Sequence, residues 1–444
     1  MELFELTAAQ AARMIRQREI SPVALVEALL RRIDQLEPAI EAWETVDREG
    51  AMAAARRCEQ EVGKGQTGPL HGVPVGVKDI FYTAGLRTTS GSPIFQDFVP
   101  DHDATSVARI REAGGVILGK TVTVQFASHD PPRTRNPWNR DRTPGGSSSG
   151  SAAAVAARMV PAALGSQTGG SVLRPASFCG VVGLKPTYGR VSRYGVTPNS
   201  WSLDHVGVIV RSVEDAALFL QVMAGQDPLD PASSDAPLAN YLQAAAQKDR
   251  APRLGLVVDY LEQADQEVAD HLREVARRFE RSGAEVRELR LPRPLSELIA
   301  LRSVIEQVEI GELHGRMLRE RPDGYLPRIR ALIEVGQLIP GSAYIHAQRL
   351  RRQLRPQIEG MLHGVDCLLL PTVHNVAPDP STTGKSWFQA VWSLFGLPSI
   401  SLPSGLSRER LPMGTQLVAP SFREDTLLSA AAWCEAVLDP MPSP

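Results

Sequence analysis

Apolar positions along this chain change spacing as the sequence proceeds. Helical periods open it, with Thr7 capping a predicted helix to about Arg18. Ser21 followed by Pro22 reads as an N-cap with proline at the first helical position, starting a second helix to about Leu36. Ala-rich residues from Arg48 to Glu61 predict a third, which Gly63, Gly65 and Gly68 break. From there to about residue 225, short apolar runs alternate with helical stretches. Val73 to Val77 is apolar and β-branched and reads as a strand. Ala104 to Ala113 has helical period and stops at Gly114 and Gly115, and Val116 to Leu118 predicts a short buried strand. Ser151 to Ala163 predicts a helix so rich in Ala that it must sit tightly against its neighbours.

Residues 226 to 252 are rich in Asp, Pro and Ser and read as a surface connection. Strands are predicted at Leu254–Val258, Ala284–Leu291, Cys367–Leu370, Ser399–Leu402 and Gly414–Val418. Helices are predicted at Gln266–Ser282, through most of residues 294 to 362, and at Glu424–Leu438, with a loose tail after it. The alternation argues for an α/β architecture, a sheet covered by helices on both faces.

The remaining bulk properties mostly exclude. At 444 residues the chain can bury a large core. A net charge of −2 gives no sign of nucleic acid or an anionic membrane as a direct partner. No signal peptide or membrane span is evident, so a cytoplasmic location is expected. Cys58, Cys179, Cys367 and Cys434 lack metal-ligand spacing and are expected as free thiols. No cofactor or metal is called for.

Three familiar patterns sit in the wrong context. Gly114 to Thr121 (GGVILGKT) fits a phosphate loop, but a helix precedes it and Val116–Leu118 is itself the strand. Gly63 to Gly68 (GKGQTG) fits a dinucleotide fingerprint, but it follows a helix and runs into Pro69. Gly146 to Gly150 (GSSSG) fits a nucleophile elbow, yet polar, proline-broken residues stand where a buried strand is needed.

The chemistry lies in two Ser/Gly loops and a lysine. The loops are PGGSSSGSAAAVAA, Pro144 to Ala157, and GSQTGGSVLRP, Gly165 to Pro175. The lysine ends the apolar strand in VPVGVKD, Val73 to Asp79. A serine hydroxyl needs a base to accept its proton, and lysine serves only when neutral. Burial can lower a lysine by several pKa units; moving it from about 10.4 to near 7 costs the charged form roughly 4–5 kcal/mol. The apolar strand around Lys78 supplies that burial.

Taken together, these motifs resemble the amidase signature family of serine hydrolases. The resemblance continues through Gly183–Gly207, Arg211–Ala217, Asp366–Thr372 and Gly396–Gly405, and loosens over about residues 226 to 360. It implies a large twisted mixed β-sheet. It also implies one amidase domain, residues 1–440. N-terminal helices would occupy 1–62, the catalytic core 63–225 and 365–438, and a variable substrate-shaping region 226–364. By the resemblance, Ser171 is the acylated nucleophile and Lys78 the base. Ser147, in a cis peptide, relays the proton between them. Backbone N–H groups of Thr168, Gly169, Gly170 and Ser171 form the oxyanion hole. Ser166 supports the relay. Ser148 and Ser149 are expected to bind backbone or cap the helix at Ser151.

Two departures from the commoner family pattern bear on substrate. Gln167 stands where an acidic residue is usual, and Leu173 takes the place of an Arg, with Arg174 one position later. Arg174 either holds a substrate carboxylate or braces the loop. Gln167 and Ser128 are further candidates for substrate contact. Phe126, Ser128, His129, Trp387 and Phe388 are candidates for the acyl pocket, the aromatics alternatively being core.

The leading expectation is an amidase acting on a small-molecule amide, with a homo-oligomer possible. A second reading is the amidase component of a tRNA-dependent amidotransferase, releasing ammonia from glutamine; Gln167 and Leu173 count against it. A third is a non-catalytic scaffold, against which an intact Lys78, Ser147 and Ser171 argues.

Overall fold

The computed structural model describes residues 2–444. At the N-terminus the predicted caps form: Thr7 and Gln10 make a reciprocal capping box for helix Ala8–Arg16. The Ser21 side chain accepts the Ala24 amide at the start of helix Pro22–Ile40. That helix runs four residues past the predicted end and stops where Glu41 turns left-handed.

Eleven strands form one sheet: β1 (Trp43–Val46), β2 (Pro74–Lys78), β3 (Val116–Thr121), β4 (Ala162–Gln167), β5 (Val182–Lys185), β6 (His205–Val210), β7 (Arg253–Val257), β8 (Glu285–Leu289), β9 (Cys367–Pro371), β10 (Ser399–Leu406) and β11 (Pro412–Val418). Their spatial order is β1-β3-β2-β4-β6-β5-β10-β11-β9-β7-β8. The sheet is mixed. β3, β2 and β4 run parallel, as do β9, β7 and β8, while the middle strands pair antiparallel.

Both faces are covered, because alternate strand residues feed two different cores. On β9, Leu369 joins one apolar cluster while Leu368 and Leu370 join the other. The first cluster takes the buried stripe of helix Gln266–Arg281, where Ala269, Leu272, Val275, Ala276 and Phe279 recur at helical spacing. The second takes Leu298, Leu301 and Ile305 of helix Leu295–Glu320, with Phe388 and Trp392.

Several expectations need correction. The helix predicted at Ser151–Ala163 spans Ser149–Ala156, and Ala162 and Ala163 open β4. Alanine favours helix intrinsically, but parallel pairing of Val75 with Ala162 and Val77 with Leu164 decides for strand. The second Ser/Gly loop therefore begins inside a strand and ends in helix Leu173–Cys179. Residues 226–252 are more than a surface connection: Asp227, Asp230 and Tyr241 are buried, and Tyr241–Ala246 is helical. All four cysteines are free and buried. Among the described residues, no helix is long and apolar enough to cross a membrane.

Candidate active site

β2 and β4 are parallel neighbours, so their carboxyl ends open on the same edge of the sheet. Lys78 is the last residue of β2 and Ser166 the penultimate one of β4. The loop before helix Ser149–Ala156 enters beside them and delivers Ser147. The close approach of this helix depends on Gly150: a Cβ there would lie 2.2 Å from the Ala42 carbonyl oxygen and 2.4 Å from the Val122 nitrogen.

Lys78 Nζ sits 2.8 Å from Ser147 Oγ and 2.8 Å from Ser166 Oγ, with the whole residue buried. Burial lowers its pKa well below the ordinary lysine value; Arg174 adds to the shift and Asp204 opposes it. A neutral amine has two N–H donors and one lone pair. With Ser166 accepting one N–H, a second N–H and the lone pair remain, and either can meet the Ser147 hydroxyl. The Gly146–Ser147 peptide is cis.

Ser171 is tied to the same cluster through backbone. Its carbonyl accepts the Ser148 amide at 3.3 Å, one residue from Ser147. Ahead of it, the amides of Thr168, Gly169, Gly170 and Ser171 find no protein acceptor among the described residues. Four consecutive unspent N–H groups beside a serine are donors that an oxyanion could use.

Gln167 and Arg174 shape this loop from inside. Gln167 Oε1 accepts the amides of Val172 (2.9 Å) and Leu173 (3.0 Å), and its Nε2 donates to Ser393 Oγ, which in turn donates to the Gly169 carbonyl. Arg174 donates to the carbonyls of Gly146 and Gly384 and is buried. The expectation of substrate contact at Gln167 gives way to a bracing position, and for Arg174 the bracing alternative describes the geometry.

The remaining nominees divide. Phe126 packs against Phe95, His314 and Tyr325, and Phe388 against Tyr260 and His374, both as core. Trp387 is 40% exposed and stacks on His374. Ser128 is buried with its hydroxyl unpartnered, and His129 Nε2 lies 3.9 Å from Glu306. Ser148 exchanges hydrogen bonds with the Ser166 backbone rather than capping a helix at Ser151.

Sequence reasoning passed over Asp204. It is half-buried and accepts from Thr168 Oγ1 at 2.5 Å and from the amides of Asn199 and Ser200. It lies within the Gly183–Gly207 stretch that carries the family resemblance, the signal that pointed to it. A cavity of about 220 Å3 opens beside it, lined by Ser166, Thr168, Asn199, Asp204 and Trp201 among others.

The sequence model of the family described as Amidase matches residues 24–428. The chain belongs to the amidase family. Among its relatives is a glutamyl-tRNA(Gln) amidotransferase subunit of Geobacter metallireducens, 37% identical over 97% of both chains. The corresponding Roseiflexus castenholzii protein is 38% identical over 98% of this chain and 96% of that one. The fold also matches solved structures. A chain of a "vestigial protein complex" bearing on "the evolutionary origins of an s-triazine catabolic enzyme" superposes with TM-score 0.92, at 31% identity over 97% of this chain and 98% of that one. Peptide amidase from Stenotrophomonas maltophilia gives 0.89, at 30% identity over 99% and 98%. The Thermotoga maritima glutamyl-tRNA(Gln) amidotransferase subunit gives 0.82, at 30% over 97% and 94%. This amidase-family chain is an enzyme of amide C–N bonds, and its mixed, two-faced sheet is the amidase signature fold.

Proposed function

We propose that this chain hydrolyses a small carboxamide through an acyl-enzyme on Ser171. The observation that carries the reading is a buried, pKa-depressed Lys78 within 2.8 Å of Ser147 and Ser166, beside four unspent amides leading into Ser171. Ser171 Oγ attacks the carbonyl carbon. Its proton passes to Ser147 Oγ, whose own proton passes to Lys78 Nζ. The oxyanion rests on the amides of Thr168 to Ser171. On collapse, the C–N bond breaks and the proton returns by the same path to the departing nitrogen, freeing ammonia or an amine. Water then attacks the ester by the same relay, giving the acid and restoring Ser171. Ser166 holds one N–H of Lys78 and so fixes the amine beside Ser147, where its lone pair takes the proton.

The relatives' names favour a second reading within the same chemistry. Proteins 36–38% identical across nearly the whole chain are named as subunits of glutamyl-tRNA(Gln) amidotransferase. In that reading the amide is glutamine, and the ammonia goes to a partner in a complex. Gln167 is a weak objection to it, since its Oε1 takes two loop amides as a carboxylate oxygen would.

A fluorophosphonate probe tests the shared chemistry. It should label wild type at Ser171 and leave Ser171→Ala unlabelled, with ammonia release lost in the same variant. Labelling at another residue, or turnover retained without Ser171, overturns the proposal. Ammonia release from simple amides by the purified chain alone supports the free-standing amidase. Release from glutamine only with partner subunits present supports the second reading.

A further inference from the structure

Arg174 was the guanidinium the sequence offered for a substrate carboxylate, and its donors are spent on the carbonyls of Gly146 and Gly384. A second guanidinium touches the same loop. Arg302, on helix Leu295–Glu320, lies so close to Gly169 that a Cβ there would fall 2.7 Å from one of its terminal nitrogens. Its side chain is 5% exposed, yet its Nε has no partner. A buried charged donor left open costs free energy and marks a place where an acceptor belongs.

The surroundings fix what that acceptor is. Glu306, one helical turn on, takes a 2.6 Å hydrogen bond from Arg302 and holds the fork in place. Burial alone would raise Glu306, but Arg302 and His129 hold it down at about 2, so it stays ionised. Arg174 is near enough for Arg302 to add to the burial that depresses it to about 9, where it remains protonated near neutrality. Two buried guanidinium groups against one carboxylate leave the patch short of one negative charge. Ser128, beside His129, adds a buried hydroxyl without a partner. His129 carries the cluster toward solvent, its side chain being 35% exposed.

We propose that Arg302 is the specificity-determining residue of this site: its guanidinium receives the carboxylate of a small acid-bearing amide, with Glu306 orienting it. The inference rests on the amidase reading, and names the class of amide that the site prefers. A planar fork matches a carboxylate bidentately, which a lysine cannot reproduce.

The test compares two primary amides, succinamate and the uncharged butyramide, by ammonia release from the full chain. Wild type should favour succinamate, chiefly through a lower KM. In Arg302→Lys the ratio of kcat/KM for succinamate over butyramide should fall about tenfold, as expected for a lost bidentate pair. Arg302→Met with Glu306→Gln removes both charges, so that neither is left buried and unpaired; here the ratio should fall about 30–100-fold. Glutarate binding by calorimetry reads the same contact without turnover, and should weaken at least tenfold in the double variant. The inference is overturned if both amides slow in parallel, which would put Arg302 on the oxyanion or in the frame. It is equally overturned if butyramide is cleaved but wild type neither prefers succinamate nor binds glutarate, an outcome that leaves the amidase reading standing. Glutarate binding that depends on Arg302, with neither amide cleaved, supports the inference and overturns the free-standing amidase reading instead.

Discussion

Lys78 and Lys120 stand on neighbouring strands, are both buried, and have opposite fates. In the β2–β3 register Val77 pairs with Lys120 and Lys78 with Thr121, so the two amines leave opposite faces of the sheet. Lys120 meets Asp79 at 3.3 Å, with the Phe81 carbonyl and Thr88 hydroxyl each at 2.6 Å. Burial lowers it, Asp79 pulls it back, and it settles at about 8, mostly protonated at neutral pH. Lys78 faces two hydroxyls and no adjacent carboxylate, and burial drives it much further down. Burial is common to both; the partner decides whether the amine stays a structural cation or is neutral, as the proposed base must be. The lysine that made GGVILGKT resemble a phosphate loop is the structural one.

Substitution by methionine breaks the comparison most sharply. Lys78→Met should lower kcat/KM for any amide by about 10²–10⁴, the usual worth of a positioned general base. Its denaturant midpoint should stay level or rise, because an amine that folding had to neutralise is gone. Lys120→Met should do the reverse and cost about 3–5 kcal/mol of stability by leaving Asp79 buried and unpaired. Equal destabilisation by both variants would erase the distinction.

The pH dependence sharpens it. A protonated Lys78 cannot accept a proton, so kcat/KM should fall tenfold per pH unit below its lowered pKa. Stability should move the same way for a different reason. Between a lysine's lowered folded pKa and its ordinary value, the unfolded chain binds more protons, so stability rises with pH. For Lys120 that window runs from about 8 to 10.5. For Lys78 it starts lower. Lys78→Met should therefore flatten the stability slope on the acid side of the Lys120 window, as read from urea midpoints against pH. An unaltered slope would show that Lys78 is not neutral in the fold.

The smallest expected effect is at Ser166. Ser166→Ala removes the hydroxyl that holds one N–H of Lys78. One such bond is worth about 1–1.5 kcal/mol, so kcat should drop roughly tenfold. The acid limb of the pH profile should also shift, which a merely structural serine would not cause.

Much of this was written locally. Lys78 is legible because an unbroken apolar strand runs into it, and the two Ser/Gly loops are legible because few other uses exist for so many small residues together. The caps at Thr7 and Ser21 are local chemistry and formed as read. β4 was illegible: Ala162, Ala163 and Gly165 carry no strand propensity, and only pairing with β2 and β6 makes them one. Phe126 and Phe388 were left between pocket and core, since aromatic side chains beside a serine loop look alike whether they line a pocket or fill a core.

The sequence by itself determined which groups can do chemistry: two serines, a lysine in apolar company, and a run of small residues whose amides stay free. Tertiary structure alone decided which lysine loses its proton, which arginine is spent and which is open, and that Asp204 and Arg302 belong to the site. The reason is physical. Propensity, capping and residue chemistry act within a few positions of the chain. Desolvation and charge pairing depend on what distant segments bring into contact, as when residues 146 and 384 meet at Arg174.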